Sequence, residues 1–385
     1  MDSPADRNSN SWNNLKNAIQ ISKPYFLTAM IKIPSVFAKN GINRSILVIL
    51  LLGGLCSTLS NMIVAKLCQK TGMKTYDEIF KKSSGKMYKF ILFLIFIQRS
   101  LGILYVIDLS FKLIKTIPLF SFGSDFQIIL FLFFLHTCCT FVYPSPESLN
   151  FARSRNVITF LAIFLVTAGA AFVNFGKNQD LINFDSSTDQ FFDSWGLIAI
   201  CFSQQIVTTP ILSTRMTSKN TSTIISGIIS SLAYISIGLL GYVAYASPEV
   251  NWCTNIGDPI VRSLLSSVLL VINLLTYPII TEPIKQVFDH SIPQRGLNKN
   301  SAISKLLVAM IYTFNSIHFV KSSYGSISLM FFSSFIMMIV PCLFFSKIFK
   351  SEYKWKLPVL FNFSVALFLI FKALSDLLGN LGLNL

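Results

Sequence analysis

Apolar residues occupy most of this chain in long blocks, separated by short polar stretches. The blocks lie at about 24–42, 45–65, 90–111, 126–143, 157–175, 195–213, 223–246, 259–281, 303–319, 324–346 and 357–378. Each is close to the roughly 20 residues that a helix needs to cross a bilayer core of about 30 Å, so the pattern predicts about 11 transmembrane helices. Two blocks are interrupted in the same way, by polar positions just ahead of a single proline: Ala29-Met-Ile-Lys-Ile-Pro34 and Gln205-Ile-Val-Thr-Thr-Pro210. A proline and polar side chains within a span free backbone groups that lipid cannot satisfy. Such breaks persist only where they face protein or a watery cavity. The pattern predicts two discontinuous helices, the device with which transporters bind cargo at mid-membrane.

Composition agrees with the pattern. Hydrophobic residues make up 52% of the 385 positions and charged residues 13%, against about a quarter charged in a soluble domain. The chain is therefore an all-α integral membrane protein with no room for a large soluble domain. A formal charge of +15 would suit nucleic acid if it were clustered, but the basic residues sit in short loops beside apolar blocks, which excludes that partner. Lys and Arg favour cytoplasmic loops. With the N-terminus inside, 22 of the 32 fall on the cytoplasmic side, seven on the other, and Lys32, Arg99 and Lys372 within spans. Residues 1–20, rich in Asn and Ser, read as a flexible cytoplasmic tail, and 21–385 as the transmembrane domain. The plasma membrane and a vacuole-like organelle both satisfy the charge rule.

Two units of five spans, each an odd number, insert in opposite orientations. Residues 24–175 then form one repeat, 195–346 a second, and 357–378 an extra C-terminal helix. Spans 1 and 6, the broken ones, occupy equivalent positions. Free N–H groups at such breaks suit an anion and free carbonyls a cation, and an amino acid zwitterion has both poles.

Several motifs in order carry a resemblance. Ile31-Lys-Ile-Pro-Ser-Val-Phe37 with Gly41 looks like a stretch leading to Pro-x-Ala-Phe. Gly102, Tyr105 and Asp108 follow in span 3, then Phe202-Ser-Gln-Gln205 with Pro210-Ile211 in span 6. Gly238, Gly241 and Tyr242 are similar to a Gly-x-x-Gly-Tyr motif, and Tyr277-Pro278, Pro283 and Pro341 close spans 8 and 10. Together they resemble the amino acid/auxin permease family of the amino acid, polyamine and organocation superfamily. The resemblance implies a LeuT-type five-plus-five inverted repeat and amino acid transport by alternating access. Two departures stand out: Leu27-Thr28-Ala29 replaces the family's Gly-x-Gly, and Gln205 replaces a frequent His, which removes a group titrating near neutral pH.

Candidate substrate-binding residues follow from the breaks and that resemblance: Thr28, Ala29, Met30, Ile31 and Lys32 in span 1, Tyr105 in span 3, and Ser203, Gln204, Gln205, Thr208 and Thr209 in span 6. A lysine near the bilayer centre costs about 3 kcal/mol on insertion scales, so Lys32 either meets a cavity or polar partner, where it stands in for a coupling sodium, or snorkels to the outer surface. Lys32, Asp108 and Glu282 are candidates for coupling or gating. Arg99 and Asp108, nine positions apart, lie on opposite faces of their helix. No acidic residue interrupts the central stretches, which favours neutral over cationic cargo. Proton symport through Asp108 or Glu282, facilitated exchange and sodium coupling rank in that order.

No cofactor or metal is implied, since His136 beside Cys138 and Cys139 matches no ligand spacing. No Gly-x-Ser-x-Gly, paired aspartate or His-Glu-x-x-His motif suggests an enzyme. The alternative to a transporter is a sensor of the same build that binds amino acids without moving them.

Overall fold

A computed structural model describes residues 4–26, 28–84, 88–120, 123–142, 148–178, 182, 184, 193–214, 219–245, 252–291, 324–349 and 355–380. Helices account for all regular structure among them, with no strand. In chain order they are α1 (Pro4–Ser22), α2 (Ile33–Asn40), α3 (Ile42–Thr71), α4 (Tyr76–Ser84), α5 (Tyr88–Lys115), α6 (Asp125–Val142), α7 (Ser148–Asn178), α8 (Asp193–Phe202), α9 (Gln205–Thr214), α10 (Lys219–Tyr245), α11 (Pro259–Ser291), α12 (Tyr324–Ser334), α13 (Val340–Ile348) and α14 (Lys356–Asn380).

Among the described residues five stretches are long and apolar enough to cross a membrane: Ile42–Thr71, Tyr88–Lys115, Asn220–Tyr245, Met330–Ile348 and Lys356–Ser375. Shorter apolar segments lie in α6, α7 and α11. The predicted block 303–319 lies outside the described residues. Helix starts and stops have local causes. Gly72, at φ 71°, ends α3 in the left-handed conformation, its N–H donating to the Cys68 carbonyl at 2.9 Å. Gly41, at φ 76°, turns the chain between α2 and α3, and Ser45 Oγ donates to its carbonyl at 2.7 Å.

Within the stretch read as a tail, Pro4–Ser22 form α1. Ala18, Ile21 and Ser22, on one face, are buried, and α1 packs along α10, with Ser22 Oγ donating to Ser226 Oγ at 3.0 Å. Burial of that stripe offsets the weak helix propensity of the Asn and Ser residues.

Helix α10 is central, packing against α1, α2, α3 and α7, while α11 packs on α5, and α12 on α8 and α14. Its glycines permit the closest approaches. A Cβ at Gly238 would collide with the Phe37 ring, and one at Gly241 with the Pro34 ring. The Gly-x-x-Gly spacing of α10 thus matches the Pro34-to-Phe37 spacing of α2, two i,i+3 faces fitted together. Likewise Gly53 admits the Phe202 ring, and Gly227 admits Thr58. Two π segments, Leu50–Ser57 within α3 and Phe335–Ile339 between α12 and α13, loosen the helical ladder. Side chains from other helices meet carbonyls there. Asn362 Nδ2 donates to Cys56 O at 3.3 Å, Tyr76 Oη to Ile336 O at 2.7 Å, and Ser60 Oγ to Met337 O.

Candidate functional site

The first break is an extended interruption rather than a kink. After α1 the chain runs through two 3₁₀ segments, Lys23–Tyr25 and Thr28–Lys32, before α2 begins. Such turns hold their hydrogen bonds poorly. Pro34 falls in the first turn of α2, where its missing N–H costs nothing. The second break falls earlier than the proline predicted. Ser203 and Gln204 leave the helix between α8 and α9, and Pro210 lies inside α9. The Thr209 hydroxyl donates to the Gln205 carbonyl at 2.5 Å, and the Thr208 hydroxyl shares its one hydrogen between that carbonyl at 3.2 Å and Asn61 Oδ1.

The two breaks adjoin each other. The rings of Tyr25 and Phe202 lie 5.8 Å apart, and Phe202 also packs on Tyr234 at 4.8 Å. Tyr234 Oη donates to the Tyr25 carbonyl at 2.6 Å. From α3, Ser57 Oγ stands 3.1 Å from Tyr25 Oη and 3.3 Å from the Phe202 carbonyl. Asn61 Nδ2 donates to Tyr25 Oη at 2.6 Å and its Oδ1 accepts from Thr208 at 3.1 Å. One buried network therefore ties the first break, α3 and both sides of the second break together. In a low-dielectric interior such a network fixes geometry strongly, because any unmet member is expensive.

Beside it lies a cluster of charges. Lys32, at the end of the first break, is 7% exposed. Its Nζ sits 4.0 Å over the Tyr105 ring and 4.0 Å from Asp108 Oδ2, a cation–π contact and an ion contact together. Asp108 Oδ2 also accepts from Lys112 at 2.9 Å, one helical turn along α5. Lys32 is thus buried with a carboxylate beside it. The buried Tyr105 Oη and Asp108 Oδ1 have no hydrogen-bond partner among the described residues.

Of the predicted binding residues, Met30, Ile31 and Lys32 are buried at the first break, and Ser203, Gln205, Thr208 and Thr209 are buried at the second, with Gln204 half-buried. Thr28 and Ala29 lie in the Thr28–Lys32 segment and Glu282 lies on α11, but their side chains are outside the described residues. Thr208 and Thr209 are engaged in holding the protein together. Gln98 was missed: it is buried in α5, and its Nε2 donates to Ser203 Oγ at 3.4 Å and Ser333 Oγ at 3.5 Å. Tyr25, Ser57, Asn61 and Lys112 were missed as well. The signal available for Asn61 and Gln98 was an amide within an apolar block, which needs a partner wherever it is buried. His136 packs its ring 4.3 Å from that of Tyr277.

The family model described as transmembrane amino acid transporter protein matches residues 13–377, spanning both breaks, the charge cluster and the Gly238–Gly241 face. The chain belongs to that transporter family. It is a multi-pass integral membrane protein whose family moves amino acids across membranes. A search of curated proteins gives no match.

Proposed function

We propose that this transporter carries neutral amino acids by alternating access, with the cargo held where its two helix breaks adjoin. The observation carrying this reading is the contact of the breaks themselves, Tyr25 on Phe202 at 5.8 Å, with the buried Lys32 and Asp108 and the half-buried Tyr105 alongside. In this reading the fold is an 11-span LeuT-type five-plus-five repeat with a cytoplasmic N-terminus, and one bundle rocks against the other around spans 1 and 6. The cargo carboxylate meets N–H groups freed over Thr28 to Ile31. Its ammonium meets carbonyls freed over Ser203 to Val207, and its side chain points toward Tyr105. Two ammonium groups against one carboxylate at Lys32, Lys112 and Asp108 disfavour a second positive charge on the cargo, so lysine and arginine are poor substrates. A proton enters with the cargo through Asp108 or Glu282.

Purified protein in proteoliposomes tests this directly. Uptake of radiolabelled neutral amino acids is expected to exceed uptake of arginine and lysine and to rise with an inwardly directed pH gradient. Uptake indifferent to imposed pH would remove the proton. Saturable stabilisation by amino acids with no uptake would make the chain a sensor.

A further inference from the structure

Far from the two breaks, a cavity of about 420 Å³ opens between α13 and α14, walled by Leu343, Val359, Leu360 and Phe363, with Ser346 and Lys356 at its polar end. Leu343 and Leu360 are 45% and 61% exposed, so the cavity gives sideways onto the surface that lipid covers. The two helices meet behind it, Cys342 Sγ standing 3.5 Å from the Val359 carbonyl. The stretch Lys356–Ser375 is the least buried of the long apolar ones. Trp355 marks the depth. Its ring packs 5.5 Å from that of Phe345 and carries Lys66 Nζ at 4.3 Å, apolar on one face and cationic on the other, which suits the level of lipid head groups. Lys347, in the last turn of α13, and Lys356, which opens α14, are both exposed. Between them the sequence adds Lys350 and Lys354 against Glu352, which lie outside the described residues.

We infer that this groove holds one anionic glycerophospholipid, with an acyl chain along the four apolar walls and the phosphate against Lys356 and Lys347. Water does not suit the apolar part, because a water molecule needs several polar partners. Hydrocarbon does. A chain by itself gains little by leaving bulk lipid, whose tails are as apolar as leucine, so selection falls to the polar end. There four lysines stand against one glutamate over residues 347–356, which favours an anionic head over a zwitterionic one. A free phosphate could meet the lysines but not the groove. The two-part ligand meets both, and it bridges α13 to the sparsely buried α14. In the orientation proposed above this end is cytoplasmic, the side whose leaflet holds the anionic lipids. None of the residues walling the groove belongs to either break, so this lipid site is separate from the cargo.

The experiment titrates the full-length protein in detergent with dioleoylphosphatidylglycerol, with dioleoylphosphatidylcholine, which has the same chains, and with glycerophosphoglycerol, the anionic head without chains. Native mass spectrometry counts the lipid retained, and thermal unfolding measures the stabilisation. Wild-type protein is expected to hold one phosphatidylglycerol about tenfold more tightly than phosphatidylcholine and not to respond to the bare head. Lys347→Gln combined with Lys356→Gln should weaken phosphatidylglycerol by about ten- to thirtyfold and leave phosphatidylcholine as it was. Lys74→Gln combined with Lys81→Gln removes the same charge from exposed positions elsewhere and should change the affinity by less than about threefold, since screened charges act only nearby. Leu360→Trp fills the groove from an exposed position and should weaken both lipids. The lipid-free unfolding midpoint shows whether each variant is folded, and Ser346→Trp takes over the filling test if Leu360→Trp is not. Equal losses from the two lysine pairs would reduce the effect to diffuse surface charge and overturn the site. Equal affinity for the two lipids, or a bare head that binds as well as the whole lipid, overturns it too. Neither readout involves uptake, so any of these failures leaves the transporter reading standing.

Discussion

Gly238→Ala probes the contact on which the geometry of the first break depends. The added Cβ would lie 2.6 Å from Cδ2 and 2.9 Å from Cζ of Phe37, and nearer still to Cε2. Phe37 is wholly buried, so its ring has no solvent to swing into. Either the ring leaves its rotamer or α2 and α10 separate, an overpacking cost of about 1–3 kcal/mol. Alanine returns up to about 1 kcal/mol of helix propensity, so the single substitution loses roughly 0–3 kcal/mol. The sharper quantity is the coupling to Phe37. Phe37→Leu alone opens a void, but it also removes the ring that the new methyl meets. In a double-mutant cycle Gly238→Ala and Phe37→Leu should therefore compensate by about 1–2 kcal/mol. Unfolding of purified protein in detergent, followed by thermal scanning, measures all four corners. Gly169→Ala, where a Cβ meets nothing within 4 Å, reports the propensity gain by itself. If Gly238→Ala is as stable as Gly169→Ala, or if the two α2–α10 substitutions simply add, the close-packing argument is wrong.

Tyr25→Phe deletes the hydroxyl that accepts from Asn61 and adjoins Ser57, and should lower stability by about 1–3 kcal/mol in the same unfolding assay; an unchanged midpoint would mean the network between the breaks is slack. Tyr76→Phe withdraws the donor to the Ile336 carbonyl in the π segment, with a loss of about 1–3 kcal/mol expected, and wild-type stability would show that carbonyl to be otherwise satisfied. For orientation, with Cys138 replaced, single cysteines at Lys74 and Asp258, both exposed, should be labelled by an impermeant maleimide from opposite sides, Lys74 from the cytoplasm. Labelling of both from one side contradicts the span order.

Much of the helical framework was legible because apolar length is a one-dimensional property. A block near 20 residues must become a helix wherever lipid surrounds it, whatever its neighbours are. The breaks were legible for the same reason, though unequally. Pro34 marks the first directly because it opens a helix, whereas Pro210 lies inside α9 and the helix is interrupted ahead of it, at Ser203 and Gln204. The helix at Pro4–Ser22 was hidden by its polar composition. Only its packing along α10 reveals the buried stripe.

The sequence by itself determined an all-helical membrane protein, the family motifs and the polar residues that lipid would not tolerate. The tertiary structure decided which of those residues meet. Lys32 and Asp108 stand 76 positions apart in the chain, and no periodicity links them, yet their charges end 4.0 Å from one another. Gly238 and Gly241 read only as small residues until Phe37 and Pro34 are set against them. Span length and polarity follow from local transfer energies, which each segment carries with it. Contacts between segments follow from the register of packed helices, which exists only once the chain has folded.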